Sequence, residues 1–381
     1  AVFGLAFAYW GHNWAFHGLY IAGLTLVFLA GVLLTIALWP WDRAYYQPDP
    51  AHARTRGGLD LERLAFFTTA ATTVISAAFG AVPGSYFGNG FTAFLAEDII
   101  RLPQKTTMEY SIIGHLHIML ALIAVMLTLI IGRWLGFRGI LQKIAMPLII
   151  LGTLVLNLGV WGVVTPLEPI AHMVIYVGAT PAMLGALMLV IYGWDHLIRE
   201  GIAGLPRATL GQKIGALLRD PLRFGPLWQM VFMNLTVSGV GILYAVRLDE
   251  IFRMWPAREE RIELTGHWHV LAAIVATIIL LYYGDMIGLS GKLRRWYGWS
   301  IILLSDLAFA AVTVLETKRL FISEAAQQPL VTAATLAVDF GLGMLLVVLA
   351  MVMAWRLVDL FRSKGRWAEE AAQEISTEVA R

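Results

Sequence analysis

Ile113-Gly114-His115-Leu116-His117-Ile118 and Thr265-Gly266-His267-Trp268-His269-Val270 are two short stretches that echo each other, and each opens a long apolar run. Successive residues of an α-helix are about 100° apart, so the two histidines of each pair point roughly 200° apart. One regular helix therefore does not bring both imidazoles to a single metal ion. It can offer one imidazole to a cofactor on each side. Two such helices can grip two haems, and the rest of the sequence is read outward from that inference.

The bulk composition fits a membrane setting. Of the 381 residues, 59% are hydrophobic and only 14% charged, with a mean hydropathy of +0.71. Long runs without charge, near the length of about 20 residues needed to cross a bilayer, recur from end to end. The fold expected is all-α, a polytopic membrane helix bundle. With 14 Met, 14 Trp and 18 Phe, the chain is well supplied for lipid-facing and interfacial surfaces. It has no cysteine. Disulfides, cysteine-held iron–sulfur centres, thiolate catalysis and covalent haem attachment within this chain are thereby excluded. The apolar start at Ala1 lacks the basic flank and small-residue cleavage pattern of a signal peptide.

About nine spanning segments are expected, at 10–39, 62–82, 108–131, 140–164, 169–194, 225–246, 265–287, 298–318 and 333–358. The connections alternate in basic content. One side, with its helix ends and the C-terminal tail, holds 20 of the 28 Lys and Arg, among them Arg54, Arg133, Arg207, Lys213, Arg294 and Lys364. The positive-inside rule places that side in the cytoplasm, with the visible N-terminus outside and the C-terminus inside. Trp39-Pro40-Trp41 reads as an inner interfacial belt. The segment 43–60 reads as irregular cytoplasmic chain, 83–107 as an outer cap or surface loop, 195–224 as a basic cytoplasmic loop and 247–264 as a charged outer loop. Pro147 is placed to kink the fourth helix. The reading is one helix-bundle domain over 1–361 with a cytoplasmic tail over 362–381, in a bacterial or archaeal cytoplasmic membrane.

Two of the nine histidines, His52 and His196, fall on the cytoplasmic side. The other seven are His12, His17, His115, His117, His172, His267 and His269. All lie near the outer beginnings of helices that run inward, roughly 5–15 Å below the helix ends at 1.5 Å per residue. An ionisable side chain within a membrane bundle is costly unless paired, so a layer of seven marks a functional site. Neutral imidazole is a standard iron ligand, and copper or non-haem iron also accepts it. Opposed histidines in a cysteine-free apolar bundle suit haem b. Gly114 and Gly266 precede the pairs and would let a ring or a helix approach closely. Each ligating imidazole also needs an acceptor for its second nitrogen.

The stretch from Thr107 to Gly132 resembles the helix of haem–copper oxidase subunit I and nitric oxide reductase large subunits that supplies one histidine to each of two haems. Gly266-His267-Trp268-His269 resembles the same motif. The resemblance implies a related core, with His115 and His117 on different haems and the same split for His267 and His269. His17-Gly18 is similar to the family's early helix with a low-spin haem ligand. His172 followed by Tyr176 is similar to the helix bearing a histidine ligand to the non-haem metal. Glu109, Glu168 and Glu263 lie near the same layer and are candidates for a non-haem iron or a proton path.

These observations predict a b-type haem electron-transfer subunit of a respiratory-chain oxidoreductase complex, passing electrons to or from an extracytoplasmic cytochrome or other redox protein. Membrane quinone as the other partner is what this class of protein implies, not something the residues show. Haem b, two rings per chain, is the expected cofactor, and non-haem iron or copper remains open. Other subunits of a membrane redox complex are the expected partners, and nucleic acid is not among them. One alternative is a catalytic nitric oxide or oxygen reductase subunit with a haem beside a non-haem metal. The absence of adjacent histidines favours electron transfer over that alternative. A histidine-rich proton-coupled transporter and a binding-only subunit are the others.

Overall fold

The computed structural model describes residues 14–87, 107–165, 167–205, 207–234 and 257–362. All its long elements are helices: α1 (Trp14–Ala37), α2 (Leu61–Phe87), α3 (Thr107–Trp134), α4 (Ile140–Gly162), α5 (Glu168–Gly201), α6 (Leu210–Leu217), α7 (Pro221–Phe232), α8 (Ala257–Met286), α9 (Gly291–Thr317) and α10 (Gln327–Phe361). Among the described residues, eight helical segments are long and apolar enough to cross a membrane. The chain is thus an all-helical, polytopic membrane protein. The expected sixth span, 225–246, is described only as far as Asn234, and its remainder lies outside the described residues.

The chain divides into two compact units, 1–192 and 193–381. In the first, α2 packs against α1, α3 and α4, and α3 also packs on α4. The contact between α4 and α5 is made by small residues. A Cβ on Gly178 would lie 2.2 Å from the Leu156 backbone nitrogen, and one on Gly159 would lie 2.7 Å from that of Ile175. Gly152 and Gly178 are each seven residues from the next glycine of the seam, Gly159 and Gly185. That spacing returns to one helix face after two turns and lets the backbones touch. In the second unit, α8 packs on α7 and α9, α7 packs on α9, and α9 packs on α10.

The end of the first unit that holds the C-terminus of α1 and the start of α2 is held by polar contacts. Arg63 donates from Nη2 to the Ala37 carbonyl at 2.6 Å and from Nε to the Trp39 carbonyl at 3.2 Å. A cation there satisfies the open carbonyls at the end of α1 and faces its negative pole. Trp39 and Trp41 meet Phe67 edge-on, with ring centroids 5.6 and 5.2 Å away. The segment 43–60 is more ordered than the irregular chain expected. It holds a 3-10 turn at Arg43–Tyr45 and a β-bridge between Arg54 and Asp60. Asp60 caps α2, accepting from the Glu62 and Arg63 amides at 2.8 and 3.1 Å.

Several expected boundaries need correction. The α2 helix does not stop before Pro83 but continues to Phe87, because proline removes one helix bond that a membrane helix tolerates. Pro147 and Pro181 likewise lie inside α4 and α5. The segment 195–224 is not a loop. The α5 helix runs through Trp194, Asp195 and His196 to Gly201, where a Cβ would sit 2.5 Å from the Ala216 side chain of α6. Thr209 and Gln212 form a capping box at the start of α6, and α7 begins at Pro221, five residues before Pro226. Residues 257–264, expected in an outer loop, form the first turns of α8. Their Arg and Glu are good helix formers, which an apolar scan overlooks. The rest of that loop, 88–106 of the outer connection and 363–381 of the tail lie outside the described residues.

Candidate functional site

Of the seven histidines expected in one outer layer, four have described side chains: His115, His117, His172 and His269. His12 and the side chains of His17 and His267 lie outside the described residues, as do the side chains of Glu109, Glu168 and Glu263.

His115 has the most developed surroundings. Its ring is part-buried between α3 and α2, and its Nδ1 lies 2.9 Å from the Ser76 carbonyl oxygen. A carbonyl only accepts, so Nδ1 must carry the proton, and a neutral ring then presents its lone pair at Nε2. The face of the ring lies on Gly80. A Cβ there would come within 2.4 Å of Cε1 and 2.5 Å of both ring nitrogens. Glycine at that position is therefore required by the imidazole. Gly114, by contrast, faces Val160 of α4, 3.3 Å from a built Cβ, and serves helix contact rather than a ring.

Ser76 is itself fixed from α4. Its hydroxyl donates to Asn157 Oδ1 at 3.1 Å and accepts from Trp161 Nε1 at 3.2 Å. Asn157 donates from Nδ2 to the Thr153 carbonyl at 2.7 Å. Ser76, Asn157 and Thr153 are all fully buried, and Trp161 stacks on Phe79 with ring centroids 5.9 Å apart. Below this group, Ile118 and Leu122 of α3 pack with Leu156 and Val160 of α4, joined by Ile175 and Ala179 of α5. A polar knot on an apolar floor thus holds one imidazole at a set height and angle.

The remaining described candidates differ in burial. His117 is exposed on α3, while His115 lies against its neighbour helix, as the angle between them requires. His172 is part-buried on α5, next to Ala171, which packs on Gly159 and Gly162. Tyr176, one turn further, is exposed. His269 is exposed on α8. Among the described residues, no three His, Asp or Glu side chains gather to hold a metal ion. A haem iron asks less of the protein, one or two imidazoles, and His115 meets that need in its proton placement and its held orientation.

The sequence did not name the partners of His115. Ser76, Gly80, Asn157 and Trp161 lie on two other helices. The signal available was a stripe of Glu62, Thr69, Thr72, Ser76 and Gly80 at three- and four-residue and seven-residue steps, which puts them on one face of α2. A second group lies at the start of α2. His52 Nε2 is 3.3 Å from Asp60 Oδ1 and 3.8 Å from Glu62 Oε2. Gln142 donates to Glu62 Oε2 at 2.8 Å and accepts from the Ala53 amide at 3.0 Å. The bond to Asp60 raises the His52 pKa above 6.5; partial burial opposes this, and the charges of Asp60, Glu62 and Asp49 assist it. Burial pushes the Asp60 carboxyl up, but His52 and the backbone amides outweigh it and hold the carboxyl below its ordinary 3.8.

Compared with known proteins, the chain matches no family model, no curated protein and no solved structure.

Proposed function

We propose that the chain is an integral membrane b-type haem electron-transfer subunit, working between membrane quinone and an extracytoplasmic redox partner. The observation that carries this reading is the Nδ1 contact of His115 with the Ser76 carbonyl. It fixes the tautomer that leaves Nε2 for iron, and a hydrogen bond at the far nitrogen makes an imidazole a stronger ligand. The haem supplies one-electron chemistry. The chain holds and orients the ring through His115, with His117, His267 and His269, then His17 and His172, as the further axial candidates and His12 after them. Gly80 gives the imidazole its seat. The Ser76–Asn157–Trp161 group keeps the acceptor carbonyl in place. The apolar residues around it lower the local polarity and so bear on the redox potential.

Reduced-minus-oxidised difference spectra of purified wild type and His115→Ala test the assignment, with His196→Ala as a control at the inner surface. Loss or marked change of one haem signal in the His115 variant, and none in the control, is the expected result. Unchanged spectra in both variants overturn the role given to His115. Nitric oxide or carbon monoxide binding to part of the haem would favour the reductase alternative, with an open axial position.

A further inference from the structure

The second unit contains a polar group that electron transfer does not use, in which a part-buried carboxyl meets two fully buried side chains. Asp306 lies on α9, about 22 Å along the axis from Gly291 at 1.5 Å per residue. That places it deep within a span whose hydrocarbon layer is about 30 Å thick. Its Oδ1 accepts from Gln229 Nε2 at 2.7 Å and its Oδ2 from Trp228 Nε1 at 2.8 Å, both from α7. Gln229 Nε2 also reaches Ser305 Oγ at 3.2 Å, and that hydroxyl donates to the Ile302 carbonyl at 3.0 Å. Gln229 and Ser305 are fully buried. No basic side chain pairs with Asp306 among the described residues.

The other end of the same amide is unsatisfied. Gln229 Oε1 is buried and finds no donor among the described residues. Both carboxylate oxygens thus face donors while an acceptor is left over beside them. Trp228 cannot change this, because an indole N–H only donates. Gln229 can, because turning its amide over exchanges N–H for C=O. We propose that Asp306, Gln229 and Ser305 form an intramembrane proton-binding site, in which the carboxylate takes a proton on Oδ1 and the Gln229 amide turns over to accept it.

In the ionised state one amide N–H of Gln229 and the Trp228 indole N–H hold the charge. In the neutral state the carboxyl O–H donates to Oε1, and the indole still donates to Oδ2. The turn exchanges an unpartnered acceptor for an unpartnered donor and removes a charge from the bilayer. The proton comes from water and returns to it, with no redox step. Among the described residues, the other charged and titratable groups on these helices lie away from the site. Arg223 of α7 is engaged with Glu200 at 2.7 Å. Tyr282, Tyr283 and Asp285 lie at the inner end of α8, and Glu316 lies beyond the site on α9. Asp339 of α10, near the Gly341 contact with Leu304 and Ala308, is exposed. The inference does not depend on haem.

Infrared difference spectra between acid and alkaline buffer, on the full chain in liposomes, test it. The expected result is a protonated-carboxyl C=O band that shifts in D2O and is missing from Asp306→Asn. Trp228→Phe keeps the carboxyl and removes a donor to its charged form, so its midpoint should rise by about one pH unit. Should Asp306→Asn not fold, that second variant carries the test. The proposal is overturned if Asp306→Asn keeps every carboxyl band or if the midpoint in Trp228→Phe stays put. It is also overturned if the wild-type midpoint follows sodium concentration at constant ionic strength, which would make the group a cation site.

Discussion

At the scale of single residues, the account turns on the seat of His115. A methyl group at position 80 would overlap the ring face, so Gly80→Ala must move either the imidazole or α2. We expect a cost of about 1–3 kcal/mol, together with a weakened or shifted haem signal. Thermal unfolding and absorption spectra of the variant check both parts. An unchanged melting temperature would contradict the contact. His52 and Asp60 give a second residue-scale prediction. The raised His52 pKa means its contribution to stability is full below 6.5 and is lost as pH rises through the folded value. The lowered Asp60 pKa means its contribution is present above 3.8 and is lost as pH falls through its own folded value. Amide protection in segment 43–60, taken relative to the intrinsic exchange rate at each pH, should therefore be greatest between those two ordinary values. In His52→Ala the fall in protection on the alkaline side should disappear.

At the scale of helices, the seam between α4 and α5 and the clamp at Arg294 carry the clearest consequences. Gly178→Ala would drive a methyl into the Leu156 backbone, which cannot move aside as a flexible side chain can. A loss of about 1–3 kcal/mol is expected. Gly211→Ala on α6 meets nothing within 4 Å, so helix propensity alone should stabilise it, by up to about 1 kcal/mol. Denaturation of the pair should show opposite signs. Arg294 binds Asp220 through Nε and Nη2 at 2.9 and 2.7 Å, Asp285 at 2.6 Å and the Leu289 carbonyl at 3.2 Å. One guanidinium thus ties the start of α7, the end of α8 and the start of α9. Arg294→Lys loses the two-pronged geometry, and Arg294→Ala should cost about 3 kcal/mol by leaving carboxylates without their cation. Equal melting temperatures for wild type, Lys and Ala would show that the clamp contributes nothing.

The helices were legible for a physical reason: long apolar runs have few alternatives in a bilayer. Their ends were less so. The polar first turns of α8 and the last turns of α5 hold Arg, Glu, Asp and His, which continue a helix without adding hydropathy. For the site, the histidines themselves stood out in sequence, because an ionisable group in an apolar run is conspicuous. What holds His115 did not. The Ser76 carbonyl belongs to a backbone, Gly80 has no side chain to mark it, and Asn157 and Trp161 come from a helix that carries no histidine. Asp306 was visible as a charge within α9, but its two donors on α7 emerge only from the packing.

For the molecule as a whole, the proposal is that a polytopic helical membrane chain holds haem b and moves electrons. The most direct measurement is a pyridine-haemochrome assay of the detergent-purified protein, normalised to protein content. The account predicts haem b in whole-number ratio to the chain, and less of it in His115→Ala. Protein that folds and purifies without stoichiometric haem would contradict it, and would leave the knot around His115 as a device of helix packing.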